Sequence, residues 1–310
     1  MAHAPPPRGH GTAARRVMFV AVASALVACA TVAGIDDLVI GECKGGICNT
    51  DSGLDERPRP SDSGALPSDD SGVPCPGKPL PPGVRIGEPG STFCIDSTEV
   101  TNAQYQEFLA ANVPIESQPP ECAWNQSFAP DPVEAGADLP VVGVDWCDAL
   151  AYCTWAGKYL CGRFEDGKKV GPVTIESSSD FHSHQWMNAC SADARLRYPY
   201  GAVHDPTRCN LAELDAGGPI PVGSASGCEG GYKGLFDLVG NVWEWYDGPC
   251  EADVAPPEEE AGAPGHESDR CWLKGGSFAQ SGAAYDCRYD RENVRRDTRA
   301  PDIGFRCCSD

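Results

Sequence analysis

Asp237-Leu-Val-Gly-Asn-Val-Trp-Glu-Trp245, then Lys274-Gly-Gly-Ser-Phe278, then Gly304-Phe-Arg-Cys307 is the run of sequence whose reading decides the fold. The segment between the last two blocks, from Phe278 to Arg288, reads Ala-Gln-Ser-Gly-Ala-Ala-Tyr-Asp-Cys. After Cys190 the chain is punctuated by Gly and Pro, with short strands and no long periodic segment. Low regular content combined with many tryptophans and cysteines points to an irregular α+β domain held by bridges. Trp243, Trp245 and Trp272 either pack its core or line a peptide groove, and tryptophans at this spacing more often pack the core.

Working back toward the N-terminus, three helices are legible. Phe93-Cys-Ile-Asp96 reads as a strand. Thr101 with Gln104 forms a capping box, and Val100 with Tyr105 a hydrophobic staple. Tyr105, Phe108 and Leu109 fall on one helical face, and Pro114 with Pro119-Pro120 limits the helix. A second helix is expected from the cap Asp145 to the stop Gly157, with Ala149, Tyr152, Cys153 and Ala156 on its apolar face. A third is expected to start at Ser179 or Asp180 and run through Trp186 to Ala189.

Arg15-Arg16 followed by an apolar run from Val17 to Ala28 has the layout of a secretory signal, and the run is too short to span a bilayer as a helix. It ends in Leu26-Val-Ala-Cys29, which resembles a bacterial lipobox, so residues 1–28 are expected to be removed and Cys29 to carry lipid. Several acyl chains anchor stably where one does not. Residues 29–82, rich in Gly, Pro, Ser and Asp, are expected to form a tether, with Cys43 and Cys48 closing a local loop. A folded domain of residues 83–310 follows. The expected place is extracytoplasmic and lipid-anchored; Ala30 after the lipidated cysteine is compatible with the outer membrane.

Of 17 cysteines, Cys29 leaves an even sixteen in an oxidising compartment, which favours disulfides. Each bridge contributes about 2–4 kcal/mol, mainly by restricting the unfolded chain. The cysteines lack the close couples of a zinc site. A formal charge of −21 argues against nucleic acid and against acidic lipid as charge partners, and leaves room for calcium or for a basic peptide or protein partner. Asn125-Gln-Ser127 matches a glycosylation pattern that carries little weight beside a bacterial lipobox.

Four separated blocks resemble, in order and spacing, the sulfatase-modifying-factor family, which includes the formylglycine-generating enzymes. They are Asp96-Ser-Thr-Glu-Val-Thr-Asn102, Val144-Asp-Trp-Cys-Asp-Ala149 with Ala151-Tyr-Cys-Thr-Trp-Ala-Gly-Lys158, Gly240-Asn-Val-Trp-Glu-Trp245, and Gly275-Gly-Ser-Phe278 with Gly304-Phe-Arg306. The resemblance covers residues 83–310 and implies an α+β fold similar to that of C-type lectins, with N- and C-terminal strands side by side. It implies bridges Cys153–Cys307 and Cys190–Cys287. Cys307 and Cys308, as strand neighbours, should have different partners, and Cys94 on the adjoining strand is the expected partner of Cys308. Cys250–Cys271 is expected to staple the base of the acidic insert carrying Glu258-Glu-Glu260.

The family's oxidases hold one copper(I) ion on two cysteines five residues apart, a soft metal on soft ligands. Counted from Phe278, those positions are Gln280 and Tyr285, neither of which supplies a thiolate, so copper is not expected and no catalytic residue is assigned. The resemblance also implies structural calcium on hard oxygens: Asp237, the carbonyls of Gly240 and Val242, and Glu244, with a second site at Asn210 and the carbonyl of Leu211. Otherwise Asp237 and Glu244 cap turns and pair with an arginine. A related branch uses a His-rich iron site; His182 and His184, two apart, do not share a helix face and read as surface histidines. The leading expectation is an anchored binding or scaffolding module. Its alternatives are a divergent oxidase converting a sulfatase-type cysteine to formylglycine, and a modifying enzyme using another metal.

Overall fold

The computed structural model describes residues 73–87, 91–132, 136–251 and 267–310. The lipobox, Cys29, the Cys43–Cys48 loop and the Glu258-Glu-Glu260 insert lie outside the described residues. Among the described residues two four-stranded sheets and a hairpin carry three short α-helices. The first sheet has the order β1 (Gly83–Ile86), β2 (Phe93–Asp96), β10 (Cys307–Ser309), β3 (Tyr159–Leu160), all antiparallel, so N- and C-terminal strands do lie together. The hairpin is β4 (Arg163–Glu165) with β5 (Lys168–Gly171). In the second sheet β8 (Asp290–Arg295), β7 (Arg270–Lys274) and β6 (Trp243–Glu251) are antiparallel, and β9 (Ile303–Phe305) adds parallel to β6. Among the described residues no helix is long and apolar enough to cross a membrane.

Local signals decide the first two helices. Helix α1 (Asn102–Ala110) starts at the complete Thr101/Gln104 capping box, and its buried face is Tyr105 and Phe108. Helix α2 (Trp146–Trp155) starts at Asp145, which forms a reciprocal box with Asp148. Gly157 ends it at φ +72°, a conformation that suits glycine. Ala149, Tyr152, Cys153 and Ala156 are all buried, and Tyr152 sits among the rings of Tyr105, Phe108 and Phe305.

Helix α3 (Gln185–Ser191) starts later than its sequence suggests. Residues 177–183 form turns, and His184 makes a strand-like bridge to Arg163, so its backbone is extended and helix can begin only after it. Residues 75–82 are likewise not tether. Cys75 is bonded to Cys94, Tyr152 donates to the Leu80 carbonyl at 2.7 Å, and Lys158 Nζ donates to the Pro81 carbonyl at 2.8 Å. Composition reports that such a segment lacks its own core; it is silent on distant side chains that capture its carbonyls.

Among the described residues seven disulfides tie the layers: Cys75–Cys94, Cys122–Cys147, Cys153–Cys307, Cys161–Cys308, Cys190–Cys287, Cys209–Cys228 and Cys250–Cys271. The expected Cys94–Cys308 bridge is not formed. Cys308 is in register with Ile95, and Cys94 with Ser309, so the two cysteines face opposite sides of the sheet. Cys308 therefore reaches Cys161 behind β3, and Cys94 reaches back to Cys75.

Candidate functional site

The turn after β7 builds the region where the family's cysteines would stand. Gly275 and Gly276 both have positive φ, and a Cβ on Gly276 would come within 3.2 Å of the Tyr285 ring. The turn buries Ser277, whose hydroxyl lies between Asp302 Oδ2, at 3.0 Å, and Gln280 Oε1. The Ser277 N–H also donates to Gln280 Oε1 at 3.0 Å, so the Gln280 amide closes the turn on itself. Its backbone carbonyl accepts from the Ala212 N–H at 2.8 Å.

Tyr285 is half-buried and belongs to an aromatic group. Its ring centroid is 4.7 Å from Tyr289 and 6.0 Å from Trp243, and the Arg291 guanidinium lies 5.8 Å from the Trp243 ring. Burial and the neighbouring Tyr289 raise its phenol pKa, so it is neutral at ordinary pH. Cys287, the nearest cysteine in sequence, is bonded to Cys190. Trp243 and Trp245 are buried in the core and Trp272 is half-buried, so the three do not line a groove together.

Beneath this turn lies a buried charge cluster. Arg306 Nε and Nη2 clamp the Glu244 carboxylate at 2.7–2.9 Å, and Trp186 Nε1 donates to Glu244 Oε2 at 2.7 Å. Arg306 also donates to the carbonyls of Asp96 at 3.1 Å and Phe236 at 2.9 Å. Glu99 and Asp237 stand close by. Burial, then the Asp237 charge, pushes Glu99 well above the usual carboxylate range, and burial pushes Asp237 up to about 6. Glu99 Oε2, Asp237 Oδ1 and Asn210 Oδ1 are buried without hydrogen-bond partners, while Asp237 Oδ2 accepts from the Gly223 N–H at 2.6 Å.

The expected calcium ligands are thus divided. Asp237 and Asn210 offer unengaged hard oxygens, whereas Glu244 is neutralised by Arg306 and does not fit the set. The Leu211 carbonyl accepts from the Leu214 N–H at 3.0 Å. Among the described residues no three His, Cys, Asp or Glu side chains converge as a metal site.

His182 is exposed, with Nδ1 2.7 Å from Asp193 Oδ1. His184 corrects the surface-histidine expectation. It is fully buried, caps α3 through Nδ1 and stacks on Tyr246 at 5.1 Å; burial and then Lys274 hold its pKa well below the usual value. Asn125 is buried as well, with Nδ2 donating to Asp148 and Gln118, so the glycosylation pattern falls on an interior side chain. Glu99 and Arg306 sat inside recognised blocks, but nothing in their spacing shows that they share a cluster.

Residues 88–310 match the model of the sulfatase-modifying factor enzyme 1-like domain, and the chain belongs to that family. It is 29% identical over 203 residues to the formylglycine-generating enzyme of Mus musculus, covering 60% of this chain and 49% of that protein. It is 28% identical over 240 residues to the inactive C-alpha-formylglycine-generating enzyme 2 of the same species, covering 71% and 65%. The chain spans about half the length of the formylglycine-generating enzyme it matches. A solved structure of PvdO from Pseudomonas aeruginosa is similar with a TM-score of 0.45 at 18% identity, over 71% of this chain and 80% of that one.

Proposed function

We propose that the chain is a lipid-anchored, extracytoplasmic member of the family that does not oxidise cysteine and serves as a binding or scaffolding module. One observation carries this reading: Gln280 and Tyr285, which the count from Phe278 matches to the family's two copper-holding cysteines, have side chains integrated into the turn and the aromatic group around it. Every described cysteine is in a disulfide, so this region supplies no thiolate pair for copper(I). A relative named as inactive supports the reading by likeness. The disulfide density supports an oxidising compartment, and the anchor rests on Leu26-Val-Ala-Cys29. Calcium enters only as a structural ion, with Asp237 offering an oxygen at the first expected site, without Glu244, and Asn210 at the second.

The test is incubation of the full chain with copper, dioxygen and a sulfatase-type cysteine peptide, read by mass spectrometry. No conversion to formylglycine is expected; turnover would establish the divergent oxidase, the reading favoured by likeness to the mouse enzyme. Lipid on Cys29 is tested separately by labelling with a fatty-acid analogue and by Cys29→Ser, which should abolish the label.

A further inference from the structure

A second feature lies at the far end of β6, away from Tyr285. The strand does not pair with β7 throughout: Trp245 is opposite Leu273, and the register then shifts so that Cys250 is opposite Cys271. Residues 246–249 bulge between these pairs. Gly248 makes the bulge feasible, since a Cβ there would sit 2.3 Å from Tyr246 ring atoms. The bulge is fixed by the Asp247 N–H donating to the Cys161 carbonyl at 2.9 Å and the Val173 N–H donating to the Asp247 carbonyl at 2.8 Å.

Between the bulge and residues 172–176 opens a groove of about 600 Å³. That volume is within the range of about 300–1,000 Å³ for ligand sites. Trp146 and Arg296 form its floor, with the guanidinium 4.8 Å from the indole centroid. Pro172, Val173, Ile175 and Pro249 supply apolar wall, and Ile175 is 47% exposed. Four carboxylates border it: Glu121, Glu176, Asp247 and Glu251. Asp247 is paired with Lys169 at 2.6 Å, and Arg296 is held by Asp269 at 3.4 Å. Glu121 lies in the field of Arg296, whose Nη1 donates to the Glu121 carbonyl at 3.5 Å, whereas Glu176 and Glu251 have no ion-pair partner among the described residues. Arg296 is 6% exposed, and its Nε is a buried donor without an acceptor.

An occupant that satisfies all these groups carries several positive charges, presents apolar surface between them, and offers a hydrogen-bond acceptor to the floor. An extended peptide does so, because successive side chains alternate faces and its carbonyls are acceptors. We infer that this groove binds an extended basic peptide segment of a partner protein, its lysine or arginine side chains meeting Glu176 and Glu251 and its apolar side chains covering Ile175 and Pro249. The inference does not depend on the loss of oxidase chemistry, since Gln280 and Tyr285 take no part in it.

Fluorescence anisotropy of a labelled hexapeptide alternating lysine and valine, titrated with the full chain, tests the inference. Saturable binding below about 1 mM is expected, weakened by salt because the rim charges are exposed. Glu176→Lys with Glu251→Lys, both exposed positions, should weaken it at least tenfold with an unchanged circular dichroism spectrum. Ile175→Ser should weaken it severalfold, and the remote exposed Val203→Ser should not. Absence of saturation at 1 mM, equal binding by the doubly reversed variant, or equal binding of a glutamate–valine hexapeptide would each overturn the inference.

Discussion

Replacing Arg306 by methionine tests the buried charge cluster most directly. The guanidinium is 1% exposed and bonds the Glu244 carboxylate and the carbonyls of Asp96 and Phe236. Methionine fills much of the volume and returns none of these bonds. Removing one partner of a buried ion pair costs about 3–5 kcal/mol, because the remaining charge is left uncompensated. Each orphaned carbonyl adds about 1–3 kcal/mol unless water reaches it. A loss of about 5 kcal/mol or more is therefore expected, comparable with the whole stability of a modest domain, about 5–15 kcal/mol. Urea unfolding under non-reducing conditions measures it, with Arg306→Met/Glu244→Gln as the companion. The second change removes the stranded charge and should recover about 2 kcal/mol. A loss below about 1 kcal/mol, or no recovery in the double variant at neutral pH, would refute the argument that Arg306 is the counter-ion of Glu244.

Other outcomes are equally measurable. Alkylation under denaturing, non-reducing conditions should label no cysteine from Cys75 to Cys308, and two labelled cysteines close in space would reopen copper chemistry. Asp96 is pushed up to about 6 by burial, in spite of Lys158 at 2.5 Å. Its folded pKa exceeds the unfolded value near 3.8. The folded state therefore binds the extra proton between these values, and the stability from that proton is full below pH about 4 and lost as pH rises through about 6. A shift of about two units corresponds to about 3 kcal/mol. The urea midpoint should be higher at pH 5 than at pH 7.5, with a smaller difference in Asp96→Asn; a midpoint that rises with pH contradicts this. Asp237 Oδ1 and Asn210 Oδ1 are buried without hydrogen-bond partners, so a structural calcium that satisfies either oxygen stabilises the folded state, and a chelator should lower the thermal midpoint by several degrees. An unchanged midpoint would remove calcium from the proposal.

Much of the first half of the domain was legible because its signals are local. A capping box needs only Thr101 and Gln104, or Asp145 with its helix, and the stop at Gly157 needs only a residue that tolerates positive φ. The identity of Gln280 and Tyr285 was likewise a matter of counting within an ordered set of blocks, and α+β content with many bridges followed from composition and resemblance. His184 escaped such reasoning because its burial depends on the Arg163 bridge and the Tyr246 ring, neither close to it in the chain.

What the sequence by itself determined is therefore whatever needs no pairing between distant segments: the first two helices, the strand at Phe93, the absence of cysteine at Gln280 and Tyr285, and the net charge. Only the tertiary structure decided which sheet face Cys94 and Cys308 occupy, that residues 75–82 strap onto α2, that Arg306 answers Glu244, and that a bulge at Gly248 opens an acidic groove. The physical reason is that register, face and burial are set by pairing between segments far apart in the chain, and a one-residue change in register reverses them.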